Sequence, residues 1–99
     1  GSITNLPELA SVEVNCIINR HGASPVANGP LPEGIRGLVN QVKIYEQYTI
    51  EAALQGNRDI ALLALLNNPL IHDAVDARLA FEELLEAHKN NLPNFFEKE

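Results

Sequence analysis

The sequence predicts an α+β fold: an N-terminal antiparallel β-hairpin, then a long central helix and two further main helices. Three observations carry this. Residues 12–19 alternate in polarity with a period of two. Residues 31–56, LPEGIRGLVNQVKIYEQYTIEAALQG, hold apolar side chains at helical spacing with no proline after Pro32. Asn68-Pro69 and Leu92-Pro93 then punctuate the remaining chain into two shorter helical stretches.

The hairpin is predicted at about 12–28, after an extended lead-in in which Pro7 biases Leu6 away from helix. Val12, Val14, Cys16 and Ile18 fall on one face of a half-buried strand, and Glu13, Asn15, Ile17 and Asn19 on the other. Asn19-Arg20-His21-Gly22 is turn chemistry, and Pro25 confines the returning strand to an edge.

The long helix is predicted at about 32–55. Pro32 suits a first helical position, Glu33 meets the positive end of the dipole, and Gly56 can take positive φ and stop the helix. Its apolar side chains cover an arc of roughly 200°, twice what a helix at the edge of a domain needs, so it is expected to be covered from more than one side. Gly34 and Gly37 are expected to permit close packing there. A second helix, at about 58–67, is capped by Asn57 or Asp59 and is apolar nearly all round, hence well buried. The third, at about 77–90, takes Asp76 as its N-cap and shares Phe81, Leu84, Leu85 and His88 on one face. The tail NFFEKE either docks its two phenylalanines or frays.

Composition narrows the function classes. The chain has 99 residues, 45% of them hydrophobic, which suits one modest globular unit. Its 7 basic residues are scattered and outnumbered by 13 acidic ones, so no nucleic acid partner is expected. The longest apolar run, 60–66, is far short of the ~20 residues of a membrane span, and no signal peptide is visible. A single cysteine, Cys16, permits no internal disulfide and fits a cytoplasmic setting.

The chain carries no complete catalytic set. His21, His72 and His88 lack metal-ligand spacing, and the glycines never approach a phosphate-binding loop. No residue is therefore assigned as catalytic, cofactor-binding or metal-binding. Cys16 is read as a small buried hydrophobe and His88 as a core histidine. Arg36 and Glu51 lie on the polar face of the long helix, as a solvated pair or a subunit contact. Glu46 falls within the apolar arc, where a carboxylate must be paired, shift its pKa or reach a cavity. Pairing is the structural reading; the functional one makes Glu46 a residue of a substrate cleft.

Three stretches, ITNLPELASVEVNCIINRHGASPVA, LPEGIRGLVNQVKIYEQYTIEAALQGNRDIALLALLNNPL and ELLEAHKNNLPNF, together resemble the C-terminal part of the NAD- and metal-dependent glycoside hydrolases of family 4. The run IRGLVNQVK-YEQ-TIEAA and the VNC after VEV are most similar to the 6-phospho-β-glucosidase branch. The Arg20-His21 hairpin tip and the Asn-rich NNLPN end depart from the pattern, both at loop-like places. The resemblance implies a much longer parent whose upstream portion holds a dinucleotide-binding domain absent from this chain. It implies hydrolysis of phosphorylated β-glucosides by oxidation at C3 with NAD, proton removal at C2 by a tyrosine, elimination, water addition and hydride return. A divalent metal, usually manganese, supplies Lewis-acid stabilisation. The family's glycine-rich loop, metal-binding Cys and His, and tyrosine base belong upstream. Those roles are therefore not transferred to Cys16, His21, Tyr45 or Tyr48, and the chain alone is expected to be inactive. The partners implied are a phosphorylated sugar and further copies of the protein as a homo-oligomer. The alternatives are a non-catalytic binding or oligomerisation module of the same fold, or a family 4 enzyme of different sugar specificity.

Overall fold

The computed structural model describes residues 1–96; Glu97, Lys98 and Glu99, the end of the predicted tail, lie outside the described residues. The order of elements is β1 (Cys16–Asn19), β2 (Gly22–Pro25), α1 (Glu33–Gln55), α2 (Arg58–Leu66) and α3 (Ala74–Ala87), followed by two 3₁₀ turns, Lys89–Asn91 and Pro93–Phe95. The predicted α+β architecture is thus present. The chain divides into two units, one spanning Gly1–Asn40 and the other beginning at Gln41.

In the first unit, β1 and β2 pair antiparallel with Cys16 opposite Pro25 and Asn19 opposite Gly22. The Asn19 side chain accepts a hydrogen bond from the His21 N–H at 2.9 Å, which shapes the turn, and Gly22 takes a φ of 108° that other residues rarely adopt. The lead-in is more than a linker. Thr4 N–H donates to the Gly29 carbonyl at 2.9 Å, Asn28 N–H to the Ser2 carbonyl at 2.8 Å, and Leu31 N–H to the Asn5 side chain at 2.8 Å. Leu6 is buried beside these bonds. The strands differ from expectation in burial: every residue of β1 and β2 is exposed, Cys16 included. Alternation fits them to a covering surface, but the described residues place none over them.

The long helix begins one residue later than predicted, because Pro32 serves as the flanking residue whose carbonyl accepts from Arg36 N–H at 3.1 Å. At its other end Gly56 has φ 64°, and Asn57 N–H reaches back to the Ala52 carbonyl at 3.2 Å, closing a Schellman turn. The Asn57 side chain at once caps α2 by accepting from Ile60 N–H at 3.1 Å. Two residues therefore end one helix and start the next.

The second unit has its core in Ala52, Phe81, Leu85 and Phe95, with Ile60, Ala61, Leu62, Leu65, Leu92 and Phe96 packed around them. The tail docks: the Arg58 guanidinium donates to the Phe95 carbonyl at 3.0 Å and lies 4.6 Å from the centre of the Phe96 ring. Five expectations are corrected. Helix α3 starts a turn earlier than predicted, because Asp73, not Asp76, accepts from the Val75 and Asp76 N–H groups at 2.8 and 2.9 Å. It also ends earlier, at Ala87, since the chain tightens into 3₁₀ turns that carry Leu92 and Phe95 back to the core. Helix α2 buries only Ala64 fully, leaving Leu63 and Leu66 exposed. On α1 only Ala52 is buried, and Ile35, Leu38, Ile44, Ile50 and Leu54 are exposed. A Cβ built on Gly34 or Gly37 would likewise meet open space. The apolar arc of α1 is as broad as the sequence indicates, and most of it is left open among the described residues.

Candidate functional site

Glu46 is held by its own helix. The Lys43 ammonium, one turn earlier, donates to the Glu46 carboxylate at 2.8 Å. The i, i+3 spacing brings the two together, as expected for neighbours on one helical face. The lysine side chain is 15% exposed and the glutamate 43%, so Lys43 buries its stem while the carboxylate keeps contact with solvent. The pair answers the question a carboxylate on an apolar face poses, and no cavity is needed to explain its charge.

An apolar groove of about 340 Å³ lies in the second unit. Small residues, Ala52, Ala53, Ala61 and Ala64, line it together with Phe81 and Leu85. Tyr45 and Thr49 stand at its edge, where the Thr49 hydroxyl donates to the Tyr45 carbonyl at 2.7 Å. No carboxylate lines it. An acid–base pair for bond hydrolysis is therefore absent from the groove, and its chemistry is that of a packing surface. His88 lies on its rim as an exposed residue closing α3, which corrects its reading as a core histidine. The face of α3 that pattern reads as core is covered at Phe81 and Leu85 and open at Leu84 and His88.

The other chemistry-bearing side chains are dispersed. Cys16 is exposed, with its thiol 3.5 Å from the Val14 carbonyl. His21 accepts from Arg20 Nε at 3.3 Å at the hairpin tip. Glu51 accepts from Gln55 at 3.3 Å on the exposed side of α1. Among the described residues no three His, Cys, Asp or Glu side chains gather where a metal ion could sit. The glycine positions offer no phosphate-binding turn either: Gly56, at the start of α2, is filled against the Asn94 backbone. No catalytic step is assigned to these residues. No helix of the described residues is long and apolar enough to cross a membrane. Sequence reasoning passed over Arg58, Asn5 and Asp73; the one signal it had was the Asp-x-x-Asp spacing at 73–76, which can cap at either residue.

Comparison with known proteins places this architecture. Residues 1–71 match the family 4 glycosyl hydrolase C-terminal domain. A probable 6-phospho-beta-glucosidase of Bacillus subtilis (strain 168) is 45% identical over 98 residues, covering 99% of this chain and 22% of that protein. A crystal structure of a 6-phospho-alpha-glucosidase from gut microorganisms, in complex with NAD and glucose-6-phosphate, superposes with a TM-score of 0.87 at 31% identity, over 94% of this chain and 21% of that one. The 6-phospho-beta glucosidase of Thermotoga maritima, solved with manganese, NAD⁺ and glucose-6-phosphate, gives 0.79 at 36% identity, over 93% of this chain and 22% of that one. The chain thus spans about a fifth of the length of the relatives it matches. The chain belongs to the family 4 glycosyl hydrolases, as their C-terminal domain.

Proposed function

We propose that the protein carrying this chain is a 6-phospho-β-glucosidase that hydrolyses phosphorylated β-glucosides with NAD and a divalent metal, and that this segment alone is inactive. The observation that carries the reading is the 45% identity to the Bacillus subtilis relative, which extends over nearly the whole chain. In the same reading a dinucleotide-binding domain lies upstream, and the NAD and manganese named with the Thermotoga maritima structure have their counterparts there. The contribution of this segment is architectural: the hairpin and helices wall the cleft and present apolar surface to the rest of the enzyme and to further subunits. Glu46 is the residue of this chain proposed to face the cleft, with Lys43 setting its orientation.

A second reading keeps the family and changes the anomer. It is favoured by the backbone, which superposes better on the 6-phospho-alpha-glucosidase, at 0.87, than on the beta enzyme, at 0.79. Residue identity runs the other way, 31% against 36%, and side chains rather than backbone discriminate substrates, so the β-glucoside is preferred.

The test uses the full-length protein with the isolated segment beside it. Release of an aryl group from a 6-phospho-β-glucoside is followed with and without NAD⁺ and Mn²⁺, and the α-anomer is run in parallel. Turnover of the β-anomer by the full-length protein, only with both additions, is expected. Turnover of the α-anomer alone would move the substrate to the second reading. No turnover of either anomer would refute the enzymatic one.

A further inference from the structure

Several asparagine side chains hold the backbone through their oxygen. Asn5, Asn19 and Asn57 accept N–H bonds from Leu31, His21 and Ile60 at 2.8, 2.9 and 3.1 Å. Asn68 accepts from Leu70 N–H at 2.9 Å and precedes Pro69, whose nitrogen carries no proton. Asn28 differs in both respects. Its side chain binds through nitrogen, donating to the Val26 carbonyl at 2.9 Å. It is also the only asparagine of the chain followed by glycine. It lies exposed in the connection between β2 and α1.

That glycine leaves its own nitrogen accessible. Gly29 has φ 72°, and a Cβ built on it would meet nothing within 4 Å. No side chain shields the Gly29 nitrogen, and the space beside it is open to the neighbouring Asn28 amide.

We propose that Asn28 is a site of spontaneous deamidation, and that the modification releases the N-terminal lead-in from the loop preceding α1. The Gly29 backbone nitrogen gives its proton to hydroxide and attacks the Asn28 side-chain carbonyl carbon. A nitrogen–carbon bond closes a five-membered imide, the bond to the side-chain nitrogen breaks, and ammonia leaves. Water then opens the imide at either carbonyl, giving aspartate or isoaspartate. One water is consumed and one ammonia released, with no change of oxidation state. Both products lose the donor to the Val26 carbonyl and gain a negative charge. Isoaspartate also routes the main chain through the former side chain, lengthening it between the Asn28 N–H and the Gly29 carbonyl. Those two groups bind the Ser2 carbonyl at 2.8 Å and the Thr4 N–H at 2.9 Å. A lengthened chain cannot keep both bonds, so the clamp on residues 2–4 opens.

The test ages the full-length protein at mildly alkaline pH and follows it by peptide mapping with fragmentation that separates aspartate from isoaspartate. Conversion at Asn28 is expected ahead of every other asparagine of this segment, with isoaspartate among the products and a shift of one negative charge on ion exchange. Amide exchange at Thr4 is expected to quicken at least ~10-fold in the separated isoaspartate form. Asn28→Gln, whose longer side chain would need a larger ring, should abolish the charge shift while keeping Thr4 slow. An intact Asn28 after other asparagines have converted would overturn the proposal. Aspartate without isoaspartate would exclude the imide and equally overturn it. Slow Thr4 exchange in the isoaspartate form would show that the clamp survives, and so refute its release. Neither readout depends on glycosidase turnover.

Discussion

Gly56 is the residue on which most local geometry converges. It holds φ 64° at the end of α1, and a Cβ there would fall on the Asn94 carbonyl oxygen. Gly56→Ala combines a disfavoured backbone with a clash against main chain, which cannot rotate away. A loss of about 1–3 kcal/mol is expected, read as a lower urea midpoint with an unchanged slope. Asp73 makes a smaller, cleaner case. Its carboxylate accepts from two N–H groups in the first turn of α3, so Asp73→Ala should cost about 1 kcal/mol, while Asp76→Ala, which leaves the cap intact, should cost less. The reverse order would show that Asp76 is the cap. Glu46→Gln removes half of a partly exposed i, i+3 pair, worth under about 0.5 kcal/mol to stability. A tenfold or larger fall in kcat/KM of the full-length enzyme with stability unchanged would support its place at the cleft; unchanged kinetics would leave it a structural partner of Lys43.

At the scale of elements, the C-terminal 3₁₀ turns act as a lid on the helices of the second unit. Phe95 is buried in the core, and Arg58 binds its carbonyl. Phe95→Ala opens a cavity beneath Ala52, Phe81 and Leu85 and should destabilise the chain by about 3 kcal/mol. Denaturant titration followed by far-ultraviolet circular dichroism measures it. An effect below about 0.5 kcal/mol, the size of an ordinary surface change, would mean that the tail frays in solution. The hairpin contrasts with the tail. Its turn is well specified by Asn19 and Gly22, yet every residue of its two strands is exposed.

For the whole molecule the decisive quantity is exposed apolar surface. Ile35, Leu38, Ile44, Ile50 and Leu54 of α1 are all open, alongside Ile17 and Ile18 of the hairpin. Exposed apolar side chains in such number promote association. The isolated chain is therefore expected to be a dimer or larger, and static light scattering giving a clean 10.8 kDa species at high concentration would refute that. Adding charge to the face, as in Ile50→Glu, should shift the population toward monomer without loss of helix. Family membership supplies the context, because relatives about five times longer have polypeptide available to cover such a face.

The sequence by itself determined the elements whose signals are local. Pro32, Gly56 and Asn57 set the ends of α1 and the start of α2 to within a residue or so, and Asn19 to Gly22 set the hairpin turn, because these act through the backbone of their own few residues. The family was legible for a related reason: its motifs are runs of contiguous residues. What only the tertiary structure decided is which surfaces are covered. Cys16 and His88 lie on faces that pattern alone reads as core, and both are exposed; Phe95, which pattern left between docking and fraying, is buried. Periodicity reports which side of an element is apolar. Burial depends on a second surface arriving from elsewhere in the chain, and for β1 and most of α1 the described residues bring none.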